Sequence, residues 1–546
     1  MRIAMKRQLL LGLALAFVLA LPARAAFTLI ACADGNFTAA ATWCLVDATS
    51  LKADDAGTTT LTAVYVSSAA FTPGAITIDG IAVRVFQRIG AVGTMSVSLA
   101  QAGVTVPGTE VVINTADLPA DQWNGEEQCA AAPGCAGLGG PGGWQLFKFD
   151  PPVLLVVATA YTVQAKTSNA NMVTLISGAG SNWERLLRTT TTQAPAAADQ
   201  LMIMGEKTGA GAMTARTITM NNTTADATTY GDVYATYKQA LAVSQGGTLA
   251  WGVAAATAYR LKLKGYFIIY SGGTVTMGTG ASTPPVSSTQ ELYFDATATV
   301  DSGLVVYSGG SYTSQGATTT SWTMLTADVA GAGAVLTVAS TAGWQANDYL
   351  VVASTTRTAA QTEKVQISTV DSPTQVTLVA GVANAHSGTS PTQAEVMNLT
   401  RNVHVRGVAN NNQTGFVYFG LNATATVRYT EFFNLGSGGN RQRGITLGTT
   451  TGSADIQYSS IHDNQVGNSY AFHIYSNTVA ALNNYTISNN VIYYISNFGI
   501  IIDADNTTMG SNYTISGNAV GLTGGPGGYF KTLSGVITNN RFFGGS

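Results

Sequence analysis

Three aspartates and two histidines near the end of this 546-residue chain are the side chains whose types could do acid–base chemistry: Asp463, Asp503 and Asp505, with His462 and His473 close by. Two carboxylates flanking one glycosidic bond can act as proton donor and as base or nucleophile, and an imidazole titrating near neutrality can take either part. Asp503 and Asp505 are two positions apart, which on a strand would place both on one side, although "DADNTT" reads more readily as a turn. His462 follows Ile461 directly and would face away from it, and His473, between Phe472 and Ile474, reads as a surface residue of a strand. Asp463, Asp503, Asp505 and His473 are the catalytic nominees, each with the plain alternative of a turn or surface residue.

Other chemistries find little support. No Ser-His-Asp order, Walker loop, His-Glu-x-x-His or Asp-rich calcium loop is recognisable, and "GGPGG" at Gly524 to Gly528 lacks the Lys-Ser/Thr of a phosphate loop. The four cysteines form two close pairs, Cys32 with Cys44 and Cys129 with Cys135. In an oxidising compartment this favours two local disulfides, although four cysteines allow three connectivities. Zinc is the competing use, and the spacings and the distance to the histidines disfavour it. No metal and no cofactor is expected.

The elements that would position these groups show in a repeat. "SSIHDN", "TISNN", "TISGN" and "VITNN" each set an Asn three positions after an Ile: Asn464 after Ile461, Asn490 after Ile487, Asn518 after Ile515 and Asn540 after Ile537, in steps of 26, 28 and 22 residues. Periods of this size mark a stacked-coil architecture. In a parallel β-helix the isoleucines would form an internal aliphatic ladder and the asparagines a corner column, because Asn tolerates the left-handed conformation and its amide can bond to the coil above or below. That role is structural. The aromatic residues of the same region, Tyr493, Tyr494, Tyr513 and Tyr529 foremost, could stack on sugar rings if exposed, with core packing as the alternative.

Composition narrows the class. Only 10% of residues are charged, 46% are hydrophobic, there are 60 Gly, and Thr, Val, Ile and Tyr recur without helical spacing, so an almost all-β protein is expected. The net charge of −3 and the scattered Lys and Arg give no footprint for nucleic acid or an anionic membrane. Arg2, Lys6 and Arg7, the apolar run Leu9 to Leu21 and "ARA" at Ala23 to Ala25 read as a secretory signal over 1–25, and no later run is apolar for long enough to span a bilayer.

Short alternating strands over 26–177 suggest an antiparallel, jelly-roll-like sandwich, and the Thr- and Ala-rich stretch 178–199 a linker. From 200 to 342 Gly-Gly pairs at 246/247, 272/273 and 309/310 each precede a short β run, the grammar of a β-solenoid. "YRLKLKGYFIIYSGGTVTMGT", "ELYFDATATVDSGLVVYSGGSY", "GWQANDYLVVASTT", "TEKVQIS" and "AEVMNLTRNVHVRG" follow in order. That succession resembles the eight-glycine (G-eight) domain and following right-handed parallel β-helix of hyaluronidase-like, hyaluronan-binding and fibrocystin-like surface proteins, and of bacterial and phage surface relatives. The resemblance implies a connecting block over 343–407, with His386, Glu395 and Arg401 locking a loop onto the helix, and β-helix coils over 408–546. It departs at "NRQRGITLG", where hyaluronan-degrading relatives carry two histidines that are missing here.

The expected architecture is all-β, a sandwich followed by a right-handed parallel β-helix. The expected function is carbohydrate-binding and adhesin-like, secreted or at the cell surface, with an extracellular polysaccharide as partner. A polysaccharide depolymerase, hydrolase or lyase, is the alternative, and a structural spacer the third reading. The last repeat signal carries no polar cap, which reads as a truncated product or as a coil covered by another subunit.

Overall fold

The computed structural model describes residues 28–543 except 47–56, 61–62, 64–65, 69, 88–92, 119–142, 169–172, 178–184, 210–211, 224, 226–227, 232–238, 279–287, 296–301, 357, 410–414, 421, 437–442, 449–451, 466, 477–483, 505–511 and 531–534. The stretch 1–25 read as a secretory signal, Cys129, Cys135 and Asp505 lie outside the described residues. Hydrophobic and hydroxyl residues alternate along most strands, and such strands bury one face and wet the other. Here they stack into a parallel β-helix of three sheets.

Each coil visits the sheets in one order. Thr274–Met277 of the second sheet follows Tyr266–Ile269 of the first and precedes Thr289–Phe294 of the third, and every neighbouring coil pairs with it in parallel. Inside, Val427, Ile456, Ile487, Ile515 and Ile537 form one ladder of the second sheet. Phe432, Ile461, Ile492 and Val520 form another in the third. Ile461 therefore stands on a different sheet from Ile487, Ile515 and Ile537, which corrects the single ladder expected of the four. The motifs coincide because both strands place an Ile three positions ahead of an Asn, whichever corner the Asn occupies.

The asparagines divide the same way. Asn490, Asn518 and Asn540 share the corner between the second and third sheets. The Asn518 side-chain oxygen accepts the Asn490 backbone N–H at 3.0 Å, and the Asn540 oxygen accepts that of Asn518 at 3.1 Å. Each amide group also donates to a carbonyl of the preceding coil. Asn464 instead ends a third-sheet strand, where its oxygen accepts Leu435 N–H. The Gly pairs close the corner between the first and second sheets. Gly246, Gly272 and Gly309 have φ of 71°, 73° and 76°, which disfavours other residues, and a Cβ at Gly273 would lie 2.4 Å from Val243 O.

Two units interrupt this helix. Thr28–Ala31 and Gly35–Asn36 already pair in parallel with Gln200–Ile203 and Arg216–Met220, so a first partial coil precedes the sandwich and the sandwich is an insertion into the helix. Its two antiparallel sheets enclose Ile78, Val83, Val97, Leu99, Phe147 and Val163. It docks on the first sheet through Trp144, Leu146 and Leu186 against Ile268, Tyr270 and Val305. Beneath them the buried Arg188 guanidinium bonds Asp79 at 2.8 Å and Glu206 at 2.6 Å. The stretch 178–199, read as a linker, contains the strand Arg185–Thr192 with Leu186 and Leu187 buried, because a Thr run is a strand former when its neighbours are apolar. Cys32 and Cys44 form a disulfide that closes the first hairpin.

The second insertion is a six-stranded antiparallel unit from Trp322–Met324 to Glu395–Asn398, between the second-sheet strand Ser311–Gln315 and the third-sheet strand Val403–Arg406. The boundary expected at 342/343 falls inside it, since the alternating pattern is the same on both sides of Gly343. It lies over the outer face of the third sheet, where Val351, Met397 and Leu399 meet Val491, Tyr493 and Ala519.

Candidate functional site

The outward positions of the third sheet carry an unusual density of charge for a chain so poor in it. Two columns run along the helix axis. One reads Arg260, Glu291, His404, Glu431; the other Lys262, Tyr293, Arg406, Phe433, His462, Tyr493. Strand spacing sets these rungs about 4.8 Å apart. Glu291 takes hydrogen bonds from both Arg260 and Arg406. Arg406 lies over the Tyr293 ring at 3.8 Å, Lys262 approaches the same ring at 5.4 Å, and the Phe433 and His462 rings stack at 5.3 Å. The ring faces are thereby occupied by one another; Arg260, Lys262, Tyr293, His404 and Arg406 are half-buried, whereas Glu291, Glu431 and His462 are buried.

Toward the insertion the columns end in a cluster with two carboxylates on one imidazole. His462 Nδ1 lies 2.8 Å from Asp463 Oδ2 and Nε2 lies 3.1 Å from Glu431 Oε1. Lys364 of the insertion reaches the same Asp463 oxygen at 2.9 Å. Burial opposes charge on His462, but the hydrogen bonds to Asp463 and Glu431 outweigh it and raise the imidazole above its ordinary value. Against the penalty of burial, the charge of His404 and the bond to His462 hold Glu431 below the usual carboxylate range. Asp463 is likewise held well below that range, burial being overcome by His462 and Lys364. The cluster thus favours the charged imidazole between two carboxylates that are both held in their ionised form.

No family model and no curated protein matches this chain. Among solved structures it is similar to the Gp54 tailspike of Acinetobacter baumannii bacteriophage AP22, solved with the host's capsular saccharide, at 12% identity over 54% of this chain and 68% of that one, with a TM-score of 0.15. The catalytic unit of a GH87 α-1,3-glucanase from Streptomyces thermodiastaticus shows 11% identity over 86% and 75%, TM-score 0.18. A tetrasaccharide complex of a GH87 α-1,3-glucanase catalytic domain shows 10% over 92% and 90%, TM-score 0.21. Likenesses this distant carry no functional argument, and the β-helix rests on the strand pairing described above.

Of the nominated residues that are described, Asp463 stands on the third sheet and His473 and Asp503 on the first. Asp463 is the carboxylate just described, committed to Lys364 and His462. His473 belongs to the first sheet and is 1% exposed, packed edge-on against Tyr470 at 5.1 Å. Burial, with the charge of Arg443, pushes its pKa down to about 3, so it cannot exchange a proton near neutrality. That corrects its reading as a surface residue: the same alternation places it on the outer side of the sheet, but the outer side is covered there. Asp503 follows in the next first-sheet strand, Ile500–Ala504, in register with Tyr475. The strand thus takes in the first two residues of the stretch read as a turn, and 505–508 lie outside the described residues.

Of the aromatic candidates, Tyr493 and Tyr513 are buried at 6% and 4% exposure, so neither presents a face to a ligand. Burial also lifts the Tyr493 hydroxyl pKa to about 12. Tyr494 and Tyr529 are exposed. His386, Glu395 and Arg401 do not form one cluster: His386 bonds Glu363 within the insertion, Glu395 pairs with Arg541 at 3.6 Å, and Arg401 is buried at the insertion's root. Glu291, Tyr293, Arg406, Glu431 and Lys364 were not singled out from the sequence. Their signal was present in "ELYF", "VHVR" and "TEFF", whose alternate positions carry the polar residues, but only the register of the coils aligns them. Among the described residues, no group of three or more His, Cys, Asp and Glu is arranged to hold a metal.

Proposed function

We propose that this chain is an exported carbohydrate-binding protein that holds an extracellular polysaccharide along the outer face of the third sheet. The observation that carries this reading is the double column from Arg260 and Lys262 to Glu431 and His462, beside the wall formed by the insertion. Its rungs repeat at a fixed interval, which suits a repeating polymer, and its half-buried guanidinium, ammonium and phenol groups can hydrogen-bond sugar hydroxyls, while the buried Glu291 and Glu431 hold those groups in place. The eight-glycine resemblance, the secretory leader and the Cys32–Cys44 disulfide, which persists in oxidising compartments, fit the same reading.

Cleavage is the weaker alternative. A glycosidase needs one carboxyl kept protonated near working pH, and Glu431 and Asp463 are both held ionised. The deciding experiment passes the protein over immobilised acidic and neutral polysaccharides while assaying the eluate for new reducing or unsaturated ends. Retention without new ends, reduced at least tenfold by Arg406→Ala, is the expected outcome. New ends abolished by Glu431→Gln would replace binding with depolymerisation.

A further inference from the structure

A cavity of about 440 Å³ opens at the root of the second insertion, outside the double column. One wall is the segment by which the chain leaves the helix, including Ser321 and Trp322, with Ala342 of the insertion beside it; the other is the corner between the second and third sheets, with Tyr429, Tyr458 and Asn489. Its volume lies within the range of small-ligand sites, about 300–1,000 Å³.

The corner residues are out of keeping with their positions. Tyr429, Tyr458, Asn489, Gly517 and Asn539 occupy successive coils with φ between 49° and 66°. Gly and Asn adopt this conformation readily; a bulky aromatic residue does so as a true outlier. Two tyrosines in succession are therefore maintained against the backbone's preference, and strain of this kind concentrates at ligand sites. Their rings stack with centroids 5.0 Å apart and an interplanar angle of 15°. In the next coils Asn489 and Gly517 take their place, so the pile of rings stops at the cavity.

The opposite wall is fixed to this corner. Trp322 Nε1 donates to Gly517 O at 2.8 Å, and Ser321 Oγ donates to Tyr458 O at 3.1 Å. The Arg401 guanidinium, behind both, donates to Tyr458 O at 3.0 Å and to Ser321 Oγ at 3.1 Å. Gly343 lets the insertion's loop come close, since a Cβ there would lie 2.4 Å from Thr318 O. Next to Thr318, the Thr319 side chain is 9% exposed and its hydroxyl has no hydrogen-bond partner among the described residues. The cavity is thus held open by fixed partners, which limits the entropy lost on binding.

We infer that this cavity is a binding site for a single uncharged sugar unit, such as a chain end or a side branch. Aromatic side chains, threonine and serine hydroxyls and one carboxamide line it, and among the described residues no charged side chain does. An aromatic ring offers an apolar face to the C–H face of a pyranose while hydroxyls and amide satisfy its rim. A carboxylated sugar would lose hydration there without gaining a counter-charge. The inference takes its ligand class from the polysaccharide reading but not its location.

The test titrates the full chain with glucose, N-acetylglucosamine, galactose and glucuronate, following saturation-transfer NMR and the part of the tryptophan fluorescence change that Trp322→Phe removes. Saturable binding of at least one neutral sugar is expected, with glucuronate at least tenfold weaker. Ala342→Trp, from an exposed position, should fill the mouth and abolish binding without disturbing the fold. Tyr458→Asn should weaken binding at least tenfold while leaving the melting temperature unchanged or higher, because Asn accepts the left-handed backbone; a tyrosine kept only for packing would give the reverse. No saturable binding, preference for glucuronate, or undiminished binding in folded Ala342→Trp overturns the site. Polymer retention by Arg406→Ala is read separately, so loss of the face leaves this site standing and loss of this site leaves the face.

Discussion

The second and third sheets of the helix share strand pairing, inner ladders and coil spacing, yet their outer faces have little in common. The second presents Thr217, Thr219, Thr248, Thr274, Thr276, Thr313, Thr424 and Thr426 in two columns interrupted by Ala250 and Ser311, with the Arg428–Asp455 ion pair beyond them. The third presents Arg, Lys, Glu, His and Tyr. Threonine is the residue a solvent-facing strand takes when only the strand matters, being β-branched and polar. The contrast teaches that backbone ladders and inner aliphatic columns suffice for folding, so the outer positions are free for function. It also shows what function demands: on the third sheet each buried charge must be met by another.

The sharpest way to break the comparison is to remove one of those partners. His462→Ala leaves the buried Glu431 without its imidazole partner, while the half-buried Asp463 keeps Lys364. Stranding a charge in this way costs about 3–5 kcal/mol. Chemical denaturation should show that loss, and His462→Ala with Glu431→Gln together should recover part of it. If His462→Ala costs no more than a surface substitution, the cluster is not holding the insertion to the helix.

Two histidines then separate the sheets by pH. His462 is raised, so its stabilising contribution is complete below the unfolded value of about 6.5 and is lost as pH rises through the folded value. His473 on the first sheet is depressed to about 3, so it binds its proton in the unfolded chain first and destabilises the fold as pH falls below about 6.5. The acid limb from His473 is on the order of a few kcal/mol, because each tenfold loss of proton affinity on folding is worth about 1.4 kcal/mol. Melting temperature should therefore peak near neutrality. His473→Phe should flatten the acid side and His462→Asn the alkaline side; a profile unaffected by both would contradict the burial of these rings.

How much of this was legible depends on whether a residue's meaning is local. The β class, the coil repeat and the turning role of the Gly pairs are local, written in alternation and in backbone tolerance of positive φ. The double column is not: Glu291 and His404 are separated by the whole second insertion, and only coil register makes them neighbours. The same blindness merged Asn464 with Asn490, since two different corners can use one Ile-x-x-Asn spacing. His473 was misread because alternation says which side of a sheet a residue takes, and not whether that side is covered.

Asn490 gives an intermediate effect shared by both sheets, since it closes their common corner. Its oxygen accepts Ser459 N–H at 2.9 Å, and its amide group donates to Ile456 O at 2.9 Å and to Asn518 Oδ1 at 3.0 Å. Asn490→Ala leaves buried backbone groups without partners, at about 1–3 kcal/mol. Hydrogen exchange should locate the loss in the coils on either side. Protection unchanged at Ser459 would mean that water replaces the amide there and that the corner is open to solvent.

The smallest effect belongs to the second sheet, and its smallness is the point. Thr276→Val and Thr313→Val keep the branched side chain and remove only an outward hydroxyl, so stability should change by no more than about 0.5 kcal/mol. Polysaccharide retention should be unchanged, because neither residue belongs to the double column or lines the corner cavity. A clear loss of retention with the fold intact would assign ligand contact to the threonine face, and the division between a face that only folds and a face that binds would no longer hold.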